Sequence, residues 1–290
     1  MPAVILPQTL DELLDLKTHT HAPAILAGGT DLLVQMRNKK ICPQTLICLD
    51  QLKDSSIREV TDMGDEICIG AAVTHSRLIR NPLIQKHFSV LIQALNTLGS
   101  PQIRNMGTLG GNIMTASPAG DCLPPLYILG ARVELAGKKG FWQMPVTQFI
   151  TGPGSTCLNP EEILWRIWIP KQPSYNLHYF EKLGHRKSLS IAILSMAALI
   201  NLTEDNIIRT VRLAWGSAGR TVVTSHETEK LLIGTRVDDP SGFIRAADRI
   251  RREVSPISDV RAGAEYRRQV AGNLLLRLCR EPLTQGPGAV

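Results

Sequence analysis

Aromatic residues are scarce in this 290-residue chain, with five Phe, four Tyr and four Trp. A surface that stacks the bases of single-stranded nucleic acid draws on more of them, so none is expected. Cysteine is present but scattered: Cys42, Cys48, Cys68, Cys122, Cys157 and Cys279 include no C-x-x-C pair. The clustered thiolates of an iron–sulfur centre or a structural zinc are therefore not expected. The histidines at positions 19, 21, 75, 87, 178, 185 and 226 show no metal-ligand spacing, and no metal site is assigned. Also missing is any apolar run near the roughly 18 residues of a membrane span. The N-terminal MPAVILPQTLDELLDL has no basic start and turns acidic after a short apolar run, unlike a secretory signal. The expectation is a cytoplasmic protein without a membrane span, its cysteines buried thiols in a reducing compartment.

What is present is ordinary for a globular protein, with 43% hydrophobic and 20% charged residues. The length suits one large or two ordinary domains. The net charge of +6 is unevenly placed, because Arg245, Arg249, Arg251, Arg252, Arg261, Arg267, Arg268, Arg277 and Arg280 crowd the C-terminal part. Two readings stand: solvated helix faces, or a docking surface for an acidic partner subunit. No nucleic-acid motif accompanies the charge, so nucleic acid is not an expected partner.

Periodicity divides the chain. Thr9 and Glu12 have capping-box spacing, and Leu10, Leu13, Leu14 and Leu16 follow as a one-sided apolar set. Residues 24–27 read as a strand that breaks at Gly28-Gly29-Thr30-Asp31. A short helix at 32–36 and a strand at 45–49 complete a first unit. The second unit opens with a strand at 66–70 and a helix capped by Thr74 and ended by Asn81-Pro82. An amphipathic helix at 88–98 stops at Gly99-Ser100-Pro101, before the glycine-rich residues 107–112. Strands at 132–135 and 163–169 follow. Pro170 and Pro173 mark the best boundary. Beyond it, 191–202 and 207–215 read as paired strands, and 243–254 and 262–280 as helices. The expected organisation is α+β, with domains at 1–173 (parts of about 1–55 and 56–173) and 174–282, then a disordered tail at 283–290.

Glycine admits positive φ and close approach of backbone to a ligand. Successive N–H groups in such turns make an anion site. Gly28-Gly29-Thr30 lies between a strand and a helix, whereas Gly110-Gly111-Asn112 has a less certain helix behind it. Alone, each suits a plain tight turn as well as a phosphate site. Together they suit a ligand with a central pyrophosphate and polar groups on both sides. Neither has the G-x-G-x-x-G spacing of a Rossmann site.

The segment Thr108-Leu109-Gly110-Gly111-Asn112-Ile113-Met114-Thr115-Ala116-Ser117-Pro118-Ala119-Gly120-Asp121 resembles the FAD-binding segment of the xanthine dehydrogenase and carbon monoxide dehydrogenase flavoprotein family. Ala27-Gly28-Gly29-Thr30-Asp31-Leu32-Leu33 is similar to that family's first flavin loop. Pro101-Gln102-Ile103-Arg104-Asn105, Glu161-Glu162-Ile163-Leu164 and the Lys182, Arg186, Ile191-Ala192 pattern also match. So do Asp259-Val260-Arg261-Ala262 and Glu265-Tyr266-Arg267-Arg268, and the likeness runs in order along nearly the whole chain.

This resemblance implies a two-part FAD-binding domain of the PCMH type, not a Rossmann fold. A small C-terminal α+β domain with an antiparallel sheet and helices would follow. It implies FAD held non-covalently. Ile25, Leu26, Ala27, Gly28, Gly29, Thr30, Asp31 and Leu32 would form the first diphosphate loop, with Thr108, Gly111, Asn112, Thr115 and Ser117 on the second side. Asp121 would reach the ribityl or flavin end. Leu98 and Gly99 would lie beside the ring, Leu164 would pack, and Lys182 would make a polar contact near the isoalloxazine. By spacing alone Lys182 reads as a surface lysine, and Asp121 as a cap for the helix at Cys122-Leu123-Pro124-Pro125. Ser190 and Leu98 depart from the family, where many members carry an acid and some an aromatic residue.

The implied function is an electron-transfer subunit of a multi-subunit molybdenum hydroxylase acting on a purine or N-heterocycle. It would take electrons from an iron–sulfur partner beside a molybdenum-cofactor subunit and pass them to NAD+ or another acceptor. No catalytic residue for the hydroxylation itself is assigned here. The competing readings are a self-contained FAD oxidoreductase and an interaction module that has lost its cofactor. The first would need substrate-site acids or a covalent flavin link, and the second would not need both glycine loops.

Overall fold

The computed structural model describes residues 2–172, 174–186 and 189–280. The expected disordered tail, and Pro173 of the expected boundary, lie outside them. The first unit contains β1 (Ala3–Ile5), α1 (Leu10–His19), β2 (Ala24–Leu26), α2 (Leu32–Arg37) and β3 (Thr45–Cys48). Its strands form a small parallel sheet in the order β1-β3-β2. Thr9 caps α1 through Oγ1, which accepts from the Glu12 N–H at 3.1 Å. Glu12 reaches back one residue further than the usual box and accepts from the Gln8 N–H at 2.7 Å.

The second unit opens with β4 (Val60–Asp62) and β5 (Glu66–Gly70), then the helices α3 (His75–Arg80), α4 (Pro82–His87), α5 (Ser89–Thr97), α6 (Pro101–Met106), α7 (Leu109–Thr115) and α8 (Leu123–Ile128). It closes with β6 (Arg132–Gly137), β7 (Gly140–Pro145), the single turn α9 (Val146–Phe149), the hairpin β8 (Ile150–Gly152) and β9 (Ser155–Thr156), and β10 (Ile163–Pro170). The main sheet runs antiparallel in the order β4-β5-β10-β6-β7.

Two stop signals prove also to be starts. Asn81 Oδ1 accepts from the N–H groups of Leu83 and Ile84, so Asn81-Pro82 launches α4. Ser100 Oγ accepts from the Ile103 N–H at 3.2 Å, with Pro101 in the first turn of α6. The glycine-rich stretch is likewise not a loop: Gly110 and Gly111 lie in the first turn of α7.

The C-terminal part holds β11 (Leu177–Leu183), β12 (Leu194–Leu202), β13 (Ile208–Gly216), α10 (His226–Lys230), α11 (Pro240–Glu253) and α12 (Ala264–Arg280). The strands form an antiparallel sheet in that order. β12 reads LSMAALINL, a nearly unbroken apolar run, because both its faces are buried. Leu194, Met196, Ala198 and Ile200 join the core under α11 and α12, while Ala197 and Leu199 join the core of the first 170 residues. α5 and α8 cover that second face, and this packing ties the C-terminal sheet to the rest.

Most of the C-terminal arginine charge is used internally. Arg249, Arg251, Arg261, Arg267, Arg268 and Arg277 each pair with a carboxylate of this chain. That arrangement favours solvated helix faces over a free basic docking surface. Of the cysteines, Cys48, Cys68 and Cys122 are buried as expected, but Cys42 is exposed.

Candidate functional site

The first glycine loop leaves β2 and crosses directly over the end of α6. A Cβ on Gly28 would stand 1.9 Å from the Met106 carbonyl oxygen, and Gly29 has φ of +69°. A side chain at position 28 would displace backbone, and the left-handed φ at position 29 favours glycine. Among the described residues, the N–H groups of Gly28, Gly29, Thr30, Asp31 and Leu32 take no hydrogen-bond partner. A row of unpaired donors around a left-handed turn is a cradle for an anion.

The second segment works differently from the expectation of a paired anion loop. The N–H groups of Leu109 and Gly110 donate to the carbonyls of Val73 and Ala71, and Gly111 donates to Thr108 Oγ1 at 3.0 Å. The first turn of α7 is therefore satisfied within the protein. Gly110 is small because a Cβ would meet the Ala71 oxygen at 2.6 Å, which is a packing reason. Gly111 would meet only Thr108 Oγ1, at 2.9 Å. What α7 offers is its flank: Thr115 Oγ1 lies 3.0 Å from Asp31 Oδ2, which also accepts from Gln35 Nε2 at 2.7 Å. The Thr115 bond joins the two glycine segments across the cleft, and the Gln35 bond braces Asp31 within the first. Asp31 itself makes no capping bond to α2.

Between the segments runs a cleft of about 800 Å3. Ile25, Ala27, Gly28, Gly29, Thr30, Asp31, Leu32, Leu98, Gly99, Thr108, Gly111, Asn112, Thr115, Ser117 and Asp121 all line it. Arg104 holds the Leu98 and Gly99 carbonyls in place through Nη1, at 2.8 and 3.3 Å. Three expected residues are not on the wall. The Leu26 side chain packs beneath Gly29, Leu164 is buried on β10, and Lys182 stands behind Asp121.

Lys182 is not the surface lysine its spacing suggests. Its Nζ donates to Asp121 Oδ2 at 2.6 Å and to the Thr97 carbonyl at 3.2 Å, with the two side chains only 6% and 9% exposed. Burial pushes the Asp121 carboxyl up to about 6, against the pull of the Lys182 charge and hydrogen bond. Asp121 Oδ1 has no partner, and α8 receives no side-chain cap. The capping reading of Asp121 is thereby replaced by a buried ion pair joining the two domains.

Sequence reasoning missed further wall residues, among them Gln35, Ile41, Ile103, Leu189 and Ile191. Ile103 and Ile191 lie in segments that match the family but were given no contact there, and Gln35, Ile41 and Leu189 carry no local motif; tertiary packing brings all five to the cleft. His75 was missed too, although it directly follows the cap Thr74. It is 3% exposed, and burial, aided by the Arg104 charge, pulls it down to about 4, so it is neutral at pH 7. Its Nδ1 is buried without a partner, as is Asn112 Oδ1.

Among the described residues no three of His, Cys, Asp and Glu converge as metal ligands, and no helix is long and apolar enough to cross a membrane. The wall fits FAD on its own terms: unpaired N–H donors for a diphosphate, orphaned acceptors at Asn112 and Asp121 for hydroxyl or amide donors, and apolar Leu98, Ile103, Leu189 and Ile191 for a ring.

Comparison with known proteins agrees with this chemistry. Residues 2–172 match the family described as the FAD binding domain in molybdopterin dehydrogenase, and residues 178–281 match the CO dehydrogenase flavoprotein C-terminal domain. The nicotinate dehydrogenase FAD-subunit of Eubacterium barkeri is 32% identical over 234 residues, covering 79% of this chain and 78% of that one. The xanthine dehydrogenase FAD-binding subunit of Escherichia coli O157:H7 is 28% identical over 284 residues, covering 97% and 95%. The structure of reconstituted CO dehydrogenase from Oligotropha carboxidovorans superimposes with a TM-score of 0.90 at 26% identity, over 96% of each chain. With a family match on either side of residue 175 and a cleft built for the cofactor, the chain belongs to the FAD-binding oxidoreductase subunits of the molybdenum hydroxylase family.

Proposed function

We propose that this subunit relays electrons between an iron–sulfur partner and a final acceptor, NAD+ or another, while a molybdenum-cofactor subunit hydroxylates a purine or related N-heterocycle. The carrying observation is the character of the cleft wall. It supplies unpaired N–H donors, orphaned acceptors and apolar side chains for a cofactor, and among the described residues no cluster of His, Cys, Asp and Glu that could hold a metal to activate water. Bound FAD supplies electron-accepting and electron-donating chemistry, and the protein contributes position and electrostatics. In this reading the N–H groups of residues 28–32 receive the diphosphate. Asp31, as a carboxylate, repels an anion and takes a hydroxyl donor instead. Thr115 fixes its orientation, and Asp121 and Lys182 stand at the flavin end. The nicotinate and xanthine dehydrogenase subunits among its relatives support an N-heterocyclic substrate for the complex. A cytoplasmic location belongs to the same proposal.

Anaerobic stopped-flow absorbance tests it. The FAD of the isolated chain should stay oxidised when nicotinate or xanthine is added, and should bleach once the iron–sulfur and molybdenum subunits are supplied. Rapid bleaching of the lone chain would replace the relay with a self-contained oxidoreductase.

A further inference from the structure

The β11–β12 loop contributes Leu189, Ser190 and Ile191 to the cleft wall. Leu189 and Ile191 are about half exposed, at 53% and 52%, and so leave apolar side chains open at the cleft. Within the loop Arg186 Nη2 donates to the Leu189 carbonyl at 2.9 Å and Ser190 Oγ to the Arg186 carbonyl at 3.1 Å, and further bonds hold its base from outside the cleft. The loop is closed at its base by the Ile193 N–H, which donates to the Leu183 carbonyl at 2.8 Å. Ser217 Oγ donates to the Ala192 carbonyl at 3.1 Å. The Ile193 carbonyl accepts from Arg267 Nη1 at 2.6 Å.

Arg267 rises from α12 and is 3% exposed. Its Nη2 donates to Asp259 Oδ1 at 2.8 Å. Asp259, between α11 and α12, is itself held by the N–H groups of Arg261 and Ala262 and by Arg261 Nη1. One fixed guanidinium thus spans from the helical layer to the carbonyl two residues beyond Ile191. A planar fork makes both bonds at once; a lysine ammonium makes one or the other.

We infer that Arg267, anchored by Asp259, is a positioning residue that seats Leu189 and Ile191 against the bound flavin and so sets how open the flavin is to small solutes. This rests on the FAD reading of the cleft. Without the tether the base of the loop loses the side-chain bond that the helical layer gives Ile193, and the apolar pair retreats from the ring.

The test uses the FAD-loaded full chain and reads two properties of the flavin itself: the rate of bleaching by dithionite and the fine structure of its visible absorption band. Arg267→Ala and Arg267→Lys are compared with a double variant, Leu189→Ala with Ile191→Ala, in which Arg267 is intact. Bleaching should quicken several-fold and the band should lose fine structure in Arg267→Ala and in the double variant, with Arg267→Lys between them and the parent. Parent-like rate and spectrum in a loaded Arg267→Lys would overturn the tether. Parent-like behaviour in the double variant would overturn the seating of the apolar pair, even where Arg267→Ala fails to fold. A parent chain that purifies without FAD would sink the cofactor reading, and the inference with it.

Discussion

Removing the Lys182 charge should produce a loss of stability that depends on pH. Lys182→Met keeps a long apolar stem and deletes the cation that faces Asp121 at 2.6 Å. Breaking a buried pair on one side costs about 3–5 kcal/mol when the remaining charge stays charged. Asp121, however, has an escape, because burial already holds its carboxyl up at about 6 even with the lysine in place. The sign follows from linkage. A carboxyl raised above its ordinary 3.8 binds its proton more tightly in the folded state, so the folded state loses stability as pH rises through that interval. At about 1.4 kcal/mol per pH unit the parent loses about 3 kcal/mol between pH values of about 4 and 6, then levels off. In Lys182→Met the downward pull is gone and the decline continues to higher pH. The difference between variant and parent should therefore be small near pH 5 and approach the full 3–5 kcal/mol near pH 8, in each case on the order of magnitude. Urea unfolding followed by circular dichroism at fixed FAD concentration measures this, since bound cofactor adds its own stabilisation. Adding Asp121→Asn should recover most of the loss at pH 8. An equal loss at pH 5 and pH 8 would refute the reasoning.

Gly28→Ala drives a Cβ to within 1.9 Å of backbone, so FAD content and thermal midpoint should both fall; overpacking of this kind costs about 1–3 kcal/mol. Gly111→Asp has only Thr108 Oγ1 to move and puts an anion into the cleft, so absorbance should report lost FAD with little change in midpoint. Thr108→Val removes the acceptor for the Gly111 N–H and should cost about 1 kcal/mol, read as a lowered urea midpoint. Among the described residues no lysine or arginine lines the cleft, so FAD affinity measured by titration should change little between low and moderate salt. A steep salt dependence would mean that cations hold the diphosphate.

The regular elements were legible where a local signal sufficed. The cap at Thr9, the strand at Glu66–Gly70 and the paired strands β12 and β13 follow from side-chain pattern alone. β11 did not, because its residues alternate irregularly and its partner across the sheet decides its conformation. α7 was hidden by its own glycines: poor helix formers enter a helix here because Thr108 caps it and Ala71 leaves no room for a Cβ at position 110. The chemistry of the cleft was legible in the same partial way. Gly28 and Gly29 were readable as a close-approach turn, whereas Asp121 and Lys182 are 61 residues apart and meet only because the C-terminal sheet docks on the first 170 residues, β11 on α5 and β12 and β13 on α8. His75 carries no sequence signal of a cleft role, and Ile191 only that of a family pattern that does not say where it points. Each reaches the cleft through its neighbours in space.

The distribution of charge explains why the three packed units have to meet at this cleft. Asp121 and Lys182 come from different domains, and each alone would be an uncompensated buried charge; together they leave the cleft floor close to neutral. Neutral His75 adds no cation on the other wall. Among the described residues the proposed reading thereby leaves attraction for an anionic cofactor to backbone N–H groups, whose direction is fixed by the turn at Gly28 and Gly29 and cannot swing away as a lysine side chain does. A subunit that relays electrons needs its cofactor at a constant distance from the next carrier. Directional donors on a rigid turn, braced by the contact of Gly28 with the end of α6 and by the Asp31–Thr115 bond to α7, meet that need better than mobile cations. The same logic accounts for the interdomain ion pair at the cleft: Asp121 and Lys182 join the C-terminal sheet to the FAD-binding domain where, in the proposed reading, a shift would be felt most.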